Sequence, residues 1–297
     1  MEDLPRLKEK IMTYQLEGTD LGNLGYQRIL LQVCGSAGHG KSSLINSFTY
    51  ALHGGTFVIS APVAPAETSQ GGHTMVRLPY KLTEVITLVD NRGFGKLDSF
   101  EREEVCAQLA NLQPLNEVEV KWDWSYEERI RVLTSVELNT CDLLVPVFVH
   151  SAQAKIHEEQ KTDISEFLKI AQNLTGFLPI VVLTKKLSGD PKTLHQQFSG
   201  MGMDDIFEVE NYTKEDDLKT PAKDLTFLTI LSKILDLVDF AAKNVFPAMD
   251  TPQKEHQKRL QKLLVMANAN DLKREKKIWS ANLPKGGPPP PKNCLLL

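Results

Sequence analysis

The chain has 297 residues, 41% apolar and 24% charged, enough for one large α/β domain or one domain with an extension. No apolar run approaches the roughly 20 residues needed to span a bilayer, and no basic stretch followed by an apolar one marks a secretory signal at the N-terminus. The net charge of −4 hides an asymmetry, because from Thr251 onward ten Lys/Arg face three Asp/Glu, leaving residues 1–250 at −11, and so acidic a body argues against general nucleic-acid binding.

Residues 3–16 place Leu4, Leu7, Ile11 and Met12 at helical spacing, which predicts a short helix within an N-terminal segment, residues 1–25. The run Ile29-Leu30-Leu31-Gln32-Val33-Cys34 predicts a buried strand. Next comes Gly35-Ser36-Ala37-Gly38-His39-Gly40-Lys41-Ser42, which matches G-x-x-x-x-G-K-[ST], followed by Ser43 and by Leu44, Ile45 and Phe48 at helical spacing. Strand, glycine loop and helix are what phosphate binding requires. The glycines let successive backbone N–H groups turn inward, and the helix N-terminus adds favourable partial charge. Lys41 is expected to reach the β- and γ-phosphates, and the Ser42 hydroxyl to sit on Mg²⁺.

Residues 54–73, rich in Gly, Pro, Ser and Thr, predict a long functional loop. Residues 75–80 predict a strand that Pro79 confines to an edge, and residues 84–90 a more strongly patterned one. A helix is expected over 99–113. The segment 116–138 holds Trp122 and Trp124 and reads as a small packed insertion ahead of an exposed contact site. Strands are predicted at 142–149, 178–183 and 205–209, with a helix over 153–173 that places Ile164, Phe167, Leu168 and Ala171 on one face. Thr220-Pro221 opens a further helix lined by Phe227, Leu231, Ile234, Leu235 and Val238. The alternation over residues 26–246 predicts a doubly wound, mostly parallel α/β sheet. A basic helix over 247–280 and a stiff Gly/Pro-rich spacer over 281–297 follow as a C-terminal extension. Cys34, Cys106, Cys141 and Cys294 form no Cys-x-x-Cys pair and read as reduced thiols, not as a zinc site.

Asp90-Asn91-Arg92-Gly93 is a D-x-x-G about fifty residues after the glycine loop and at a strand end. In that place Asp90 would hold Mg²⁺ through water, and the Gly93 N–H would meet the γ-phosphate. The combination resembles the TRAFAC-class P-loop GTPases. The resemblance implies a G-domain-like fold, GTP or GDP with Mg²⁺, and a switch segment at residues 92–100. It also implies a threonine on Mg²⁺ from the loop before the edge strand. Thr74 and Thr68 both qualify, and Thr74 is the better placed. Where many small GTPases carry a water-orienting glutamine, this chain has Phe94, which leaves His39 as a water-polarising group and Arg92 as a cation in cis. A variable loop position and a surface arginine are the plainer readings of those two.

The family's base-reading [NT]-K-x-D aligns with Thr184-Lys185-Lys186-Leu187, in which Thr184 and Lys185 fit and Leu187 replaces the aspartate. Asp190 stands three residues late, and Asn211 lies where the final base-contacting loop is expected. ATP therefore stays open beside GTP. Gly35–Ser43, D-x-x-G, strand-Thr-Lys and Asn211-Tyr212 together resemble the interferon-induced 44 / 44-like family over residues 26–246. That resemblance implies a GTPase-like protein linked with interferon-inducible defence.

Cys294-Leu295-Leu296-Leu297 is a C-a-a-X box, and leucine at X implies modification by geranylgeranyl transferase. One lipid gives marginal membrane binding, so a second signal is expected. Lys273, Arg274, Lys276, Lys277, Lys285 and Lys292 supply it toward an anionic membrane surface, at about 1 kcal/mol per charge. The expectation is a prenylated GTP-binding switch or assembly factor on the cytoplasmic face of a membrane, with self-association as one mode of assembly. Two rivals stand beside it: a nucleotide-holding scaffold without hydrolysis, and an ATP-using P-loop enzyme.

Overall fold

The apolar runs become one six-stranded sheet in the computed structural model, which describes residues 3–62, 76–116, 126–135, 141–244 and 250–281. In chain order the elements are α1 (Leu4–Thr13), α2 (Asp20–Asn23), β1 (Arg28–Cys34), α3 (Lys41–His53), β2 (Leu78–Lys81), β3 (Ile86–Asp90), α4 (Ser99–Leu109), α5 (Tyr126–Ser135), β4 (Asp142–Ser151), α6 (Glu158–Thr175), β5 (Ile180–Thr184), α7 (Pro191–Gly200), β6 (Ile206–Glu208), α8 (Pro221–Asn244) and α9 (Pro252–Ala281). The sheet order is β2-β3-β1-β4-β5-β6, and every neighbouring pair is parallel except β2 with β3. Pro79 sits in that antiparallel edge strand, where a missing N–H costs least.

Helices cover both faces, which is why the inner strands read as continuous apolar runs. Ile29, Leu31 and Val33 of β1 pack with Leu44 and Phe48 of α3 and with Phe227 and Leu231 of α8. Leu7 and Ile11 of α1 join the same cluster, and Lys10 of α1 pairs with Asp236 of α8 at 2.7 Å. Cys34 of β1 faces the other way, toward α4, α6, α7 and α9. The first half of α9 is part of that face, with Leu263 and Ala267 buried in it.

The structure differs from the sequence reading in several places. The helix expected from residue 153 starts at Glu158, because residue 152 still bonds to β5: the Ala152 N–H donates to the Thr184 carbonyl at 2.8 Å. The helix expected to run to 113 stops at Leu109, and Asn111 turns left-handed at φ 54°. Neither α2 nor α7 was predicted. Asp190-Pro191 is the same cap-then-proline signal that opened α8, and the Asp190 carboxylate accepts the Thr193 N–H at 3.1 Å. Trp122, Trp124, Thr68, Thr74 and Cys294 lie outside the described residues.

One polar layer interrupts the apolar core. Arg77 is fully buried, and its guanidinium donates to Asn91 Oδ1 (2.9 Å), Gln32 Oε1 (3.1 Å), Asn111 Oδ1 (3.0 Å) and the Gln113 carbonyl. Asn111 in turn donates to Asp142, which also pairs with Arg28 at 2.8 Å. Burial lowers the Arg77 pKa to about 9, and Asp142 opposes the shift. Because one side chain satisfies four acceptors, Arg77→Met is expected to cost about 3–5 kcal/mol. Urea denaturation checks this. Lys81→Met, which removes an exposed pair with Glu84, should stay within about 1 kcal/mol of wild type.

Candidate phosphate-binding site

From β1 the chain passes to β3 on one side and later to β4 on the other, so the C-terminal end of β1 is a topological switch point. Open α/β sheets bind ligands in the crevice there. Residues 35–42 occupy that position, with Asp90 ending β3, Ser151 ending β4 and Thr184 ending β5. Gly35 is at φ 148°, and a Cβ on it would lie 2.2 Å from the Val149 carbonyl oxygen, so no side chain fits. Gly40 caps α3 and, having no side chain, makes no cap hydrogen bond to its first-turn N–H groups.

Lys41 is 7% exposed, and its ammonium donates to the carbonyls of Gly35 (3.1 Å) and Ser36 (3.0 Å). Burial lowers its pKa, opposed by Asp90. Gly93 lies directly over it: a Cβ there would come within 2.7 Å of Lys41 Nζ and 2.9 Å of Ala37 Cα. The D-x-x-G segment is stitched to the glycine loop. The Ala37 N–H donates to the Phe94 carbonyl at 2.9 Å, and Ser36 and Phe94 form a parallel bridge. Ser42 Oγ donates to Asp90 Oδ2 at 2.6 Å, which brings together two of the three oxygens expected on Mg²⁺. Hard oxygens, one carboxylate among them, suit Mg²⁺, which keeps several waters and takes substrate phosphates as further ligands. Among the described residues there is no cluster of three His, Cys, Asp or Glu for an all-protein cage.

The groups considered for water activation are bonded within the protein. His39 Nδ1 accepts the Ser151 N–H at 3.3 Å, and its ring stands edge-on to His150 with centroids 4.7 Å apart. Burial, with help from His150 and Lys41, pushes its pKa down to about 3, so the ring is neutral and ties the loop to β4. Arg92 is not a surface arginine. It is 8% exposed, and its N–H donates to Gln108 of α4 at 2.9 Å. Phe94 is buried against Phe148 and Phe167.

Residues expected at the base brace the loop. Thr184 Oγ1 donates to the His39 carbonyl (2.7 Å), Lys185 Nζ to that of Gly38 (3.3 Å), and Asn211 Nδ2 to that of Gly40 (3.2 Å). Turning these carbonyls outward leaves the opposite side of the loop to N–H groups. Leu187 is 79% exposed, and Asp190 is committed to the α7 cap. Glu101 is a residue the sequence reading missed. Its carboxylate accepts the N–H groups of Gly95 (3.1 Å), Lys96 (2.7 Å) and Leu97 (2.7 Å), which fixes the segment after Gly93. Asp98-x-x-Glu101 carries the spacing of a helix-start signal that could have revealed it. A cavity of about 880 Å³ lies between α6 and α7, away from this loop.

No protein-family model matches the chain, and no curated protein matches it.

The two histidines give a pH prediction. Burial lowers the pKa of His150 as it does that of His39. Between about pH 3 and 6.5 the unfolded chain therefore binds more protons than the folded one, and stability falls as pH falls through that window. Urea midpoints should be lower at about pH 5 than at about pH 7.5, and His39→Phe should flatten the difference.

Proposed function

We propose that the chain is a GTP-binding protein of the P-loop GTPase type, acting as a membrane-peripheral switch or assembly factor. The observation that carries this reading is the Lys41 ammonium. It is buried at the N-terminus of α3, donates to two backbone carbonyls, and adjoins the Ser42–Asp90 pair. A buried cation calls for a counter-charge, and a polyphosphate seated on the helix N-terminus supplies it. Gly35–Ser43 would wrap the β-phosphate, and Lys41 would turn from its carbonyls to the β- and γ-phosphates. Ser42, Asp90 and Thr74 would hold Mg²⁺, which when bound neutralises charge on the phosphate oxygens. Gly93 already touches the loop, so a γ-phosphate would need the Ser36–Phe94 bridge to shift. That displacement distinguishes triphosphate from diphosphate and is the basis for a switch.

A second reading, a nucleotide-holding scaffold without turnover, is favoured by the burial of Phe94 and by the bonded, neutral state of His39. Phosphate release under excess GTP separates the two. Release above the level of Lys41→Ala supports the enzyme, and release no greater than that variant leaves the scaffold. The base is identified by heating the purified protein and analysing the nucleotide set free. Finding GDP or GTP removes the ATP-using alternative.

Lys41→Ala is expected to weaken nucleoside diphosphate binding by about 10–100-fold, the equivalent of a charge-assisted hydrogen bond of about 1.5–3 kcal/mol. Competition with a fluorescent GDP analogue measures this, and unchanged affinity would falsify the phosphate site. Prenylation of Cys294 beside the basic tail belongs to the same proposal. Cys294→Ser should move the protein from the membrane pellet to the supernatant on cell fractionation, and an unaltered distribution refutes the lipid anchor.

A further inference from the structure

The loss of the base-reading aspartate at Leu187 leaves a gap that a different strand fills. The Leu187 N–H donates to Glu210 Oε2 at 3.0 Å, which brings a carboxylate beside the backbone of Leu187. Glu210 follows β6, and its position is set by the backbone. The Val209 N–H donates to the Leu183 carbonyl at 2.8 Å, and the Lys186 N–H to the Val209 carbonyl at 3.3 Å, so the loops after β5 and β6 are locked together. The next residue, Asn211, is 7% exposed and holds the Gly40 carbonyl. Its Oδ1, among the described residues, has no hydrogen-bond partner. One short segment thus reaches from the phosphate loop to the vacated base-reading position and carries acceptors at both ends. A cavity of about 310 Å³ opens beside it, lined by Lys186, Leu187, Glu210, Asp216, Thr220 and Lys223.

We infer that Glu210 is the specificity-determining residue for the base, accepting hydrogen bonds from the N1–H and N2–H₂ edge of guanine in place of an aspartate after Lys185. The inference rests on the nucleotide reading of the site above. One backbone N–H does not exhaust a carboxylate, which has about four lone-pair positions. Guanine presents two donors on that edge. Adenine presents a ring-nitrogen acceptor and a C–H there, and a carboxylate facing an acceptor is repelled. A site built around a hydrogen bond rejects an analogue that lacks the partner group more strongly than an apolar pocket rejects one of the wrong size.

The test is competition of GDP, ADP and xanthosine diphosphate against a fluorescent GDP analogue, with wild type, Glu210→Gln and Asp190→Asn. Wild type should prefer GDP to both competitors. Glu210→Gln should lose about 10–100-fold in GDP affinity and gain affinity for xanthosine diphosphate, because its amide donates to the carbonyl at C2. A misfolded variant cannot show that gain. Asp190→Asn should keep the wild-type order, since its carboxylate caps α7. A GDP preference that survives Glu210→Gln overturns the assignment, as does a wild type that binds GDP and ADP equally. A wild type that binds none of the three overturns the nucleotide site itself, and the assignment with it.

Discussion

Burying the Lys41 ammonium beneath Gly93 strips most of its water, and a lone ammonium so placed costs several kcal/mol unless oxygens surround it. The loop provides those oxygens by turning the carbonyls of Gly35 and Ser36 onto the charge. Only residues without a Cβ tolerate the resulting closeness. Gly35 is wedged against the Val149 carbonyl, and Gly93 against the ammonium and Ala37. Three further loop carbonyls, at Gly38, His39 and Gly40, are taken up by Lys185, Thr184 and Asn211. The ends of β1, β3, β5 and β6 thus meet around one charge.

This arrangement couples the loop to the D-x-x-G segment at several points. Phe94 is hydrogen-bonded to the loop backbone while its ring lies in the aromatic core between the sheet and α6. Asn91 is held by Arg77 and Gln32, and Arg92 by Gln108 of α4. The segment between Asp90 and Leu97 is therefore bonded to the loop, to the buried polar layer and, through Glu101, to the start of α4. The α4 helix also packs against α9, which leads toward the basic tail.

Much of the site was legible because its signals are local. Gly35 to Ser42 lie within one strand–loop–helix unit, and the chemistry of that unit depends on residues a few positions apart. Asp90 was legible because a polar residue closing an apolar run marks a strand end. The cap of α7 is equally local, Asp190-Pro191 being a cap followed by proline at the first helical position. Arg77 and Arg92 were not legible. Nothing in their neighbours' spacing shows that Arg77 meets Asn111 and Gln113 beyond α4, or that the Arg92 backbone meets Gln108 within it.

The amino-acid sequence by itself determined the alternation of strands and helices, the glycine loop and the carboxylate opposite it, because each follows from side-chain periodicity or from short-range backbone geometry. The tertiary structure alone decided which residues those groups meet. His39 reaches Ser151, Asn211 reaches Gly40, and Glu210 reaches Leu187 only because β4, β5 and β6 line up beside β1 in that order. Strand order comes from how both faces of the sheet are covered at once, and no local stretch of sequence carries that information.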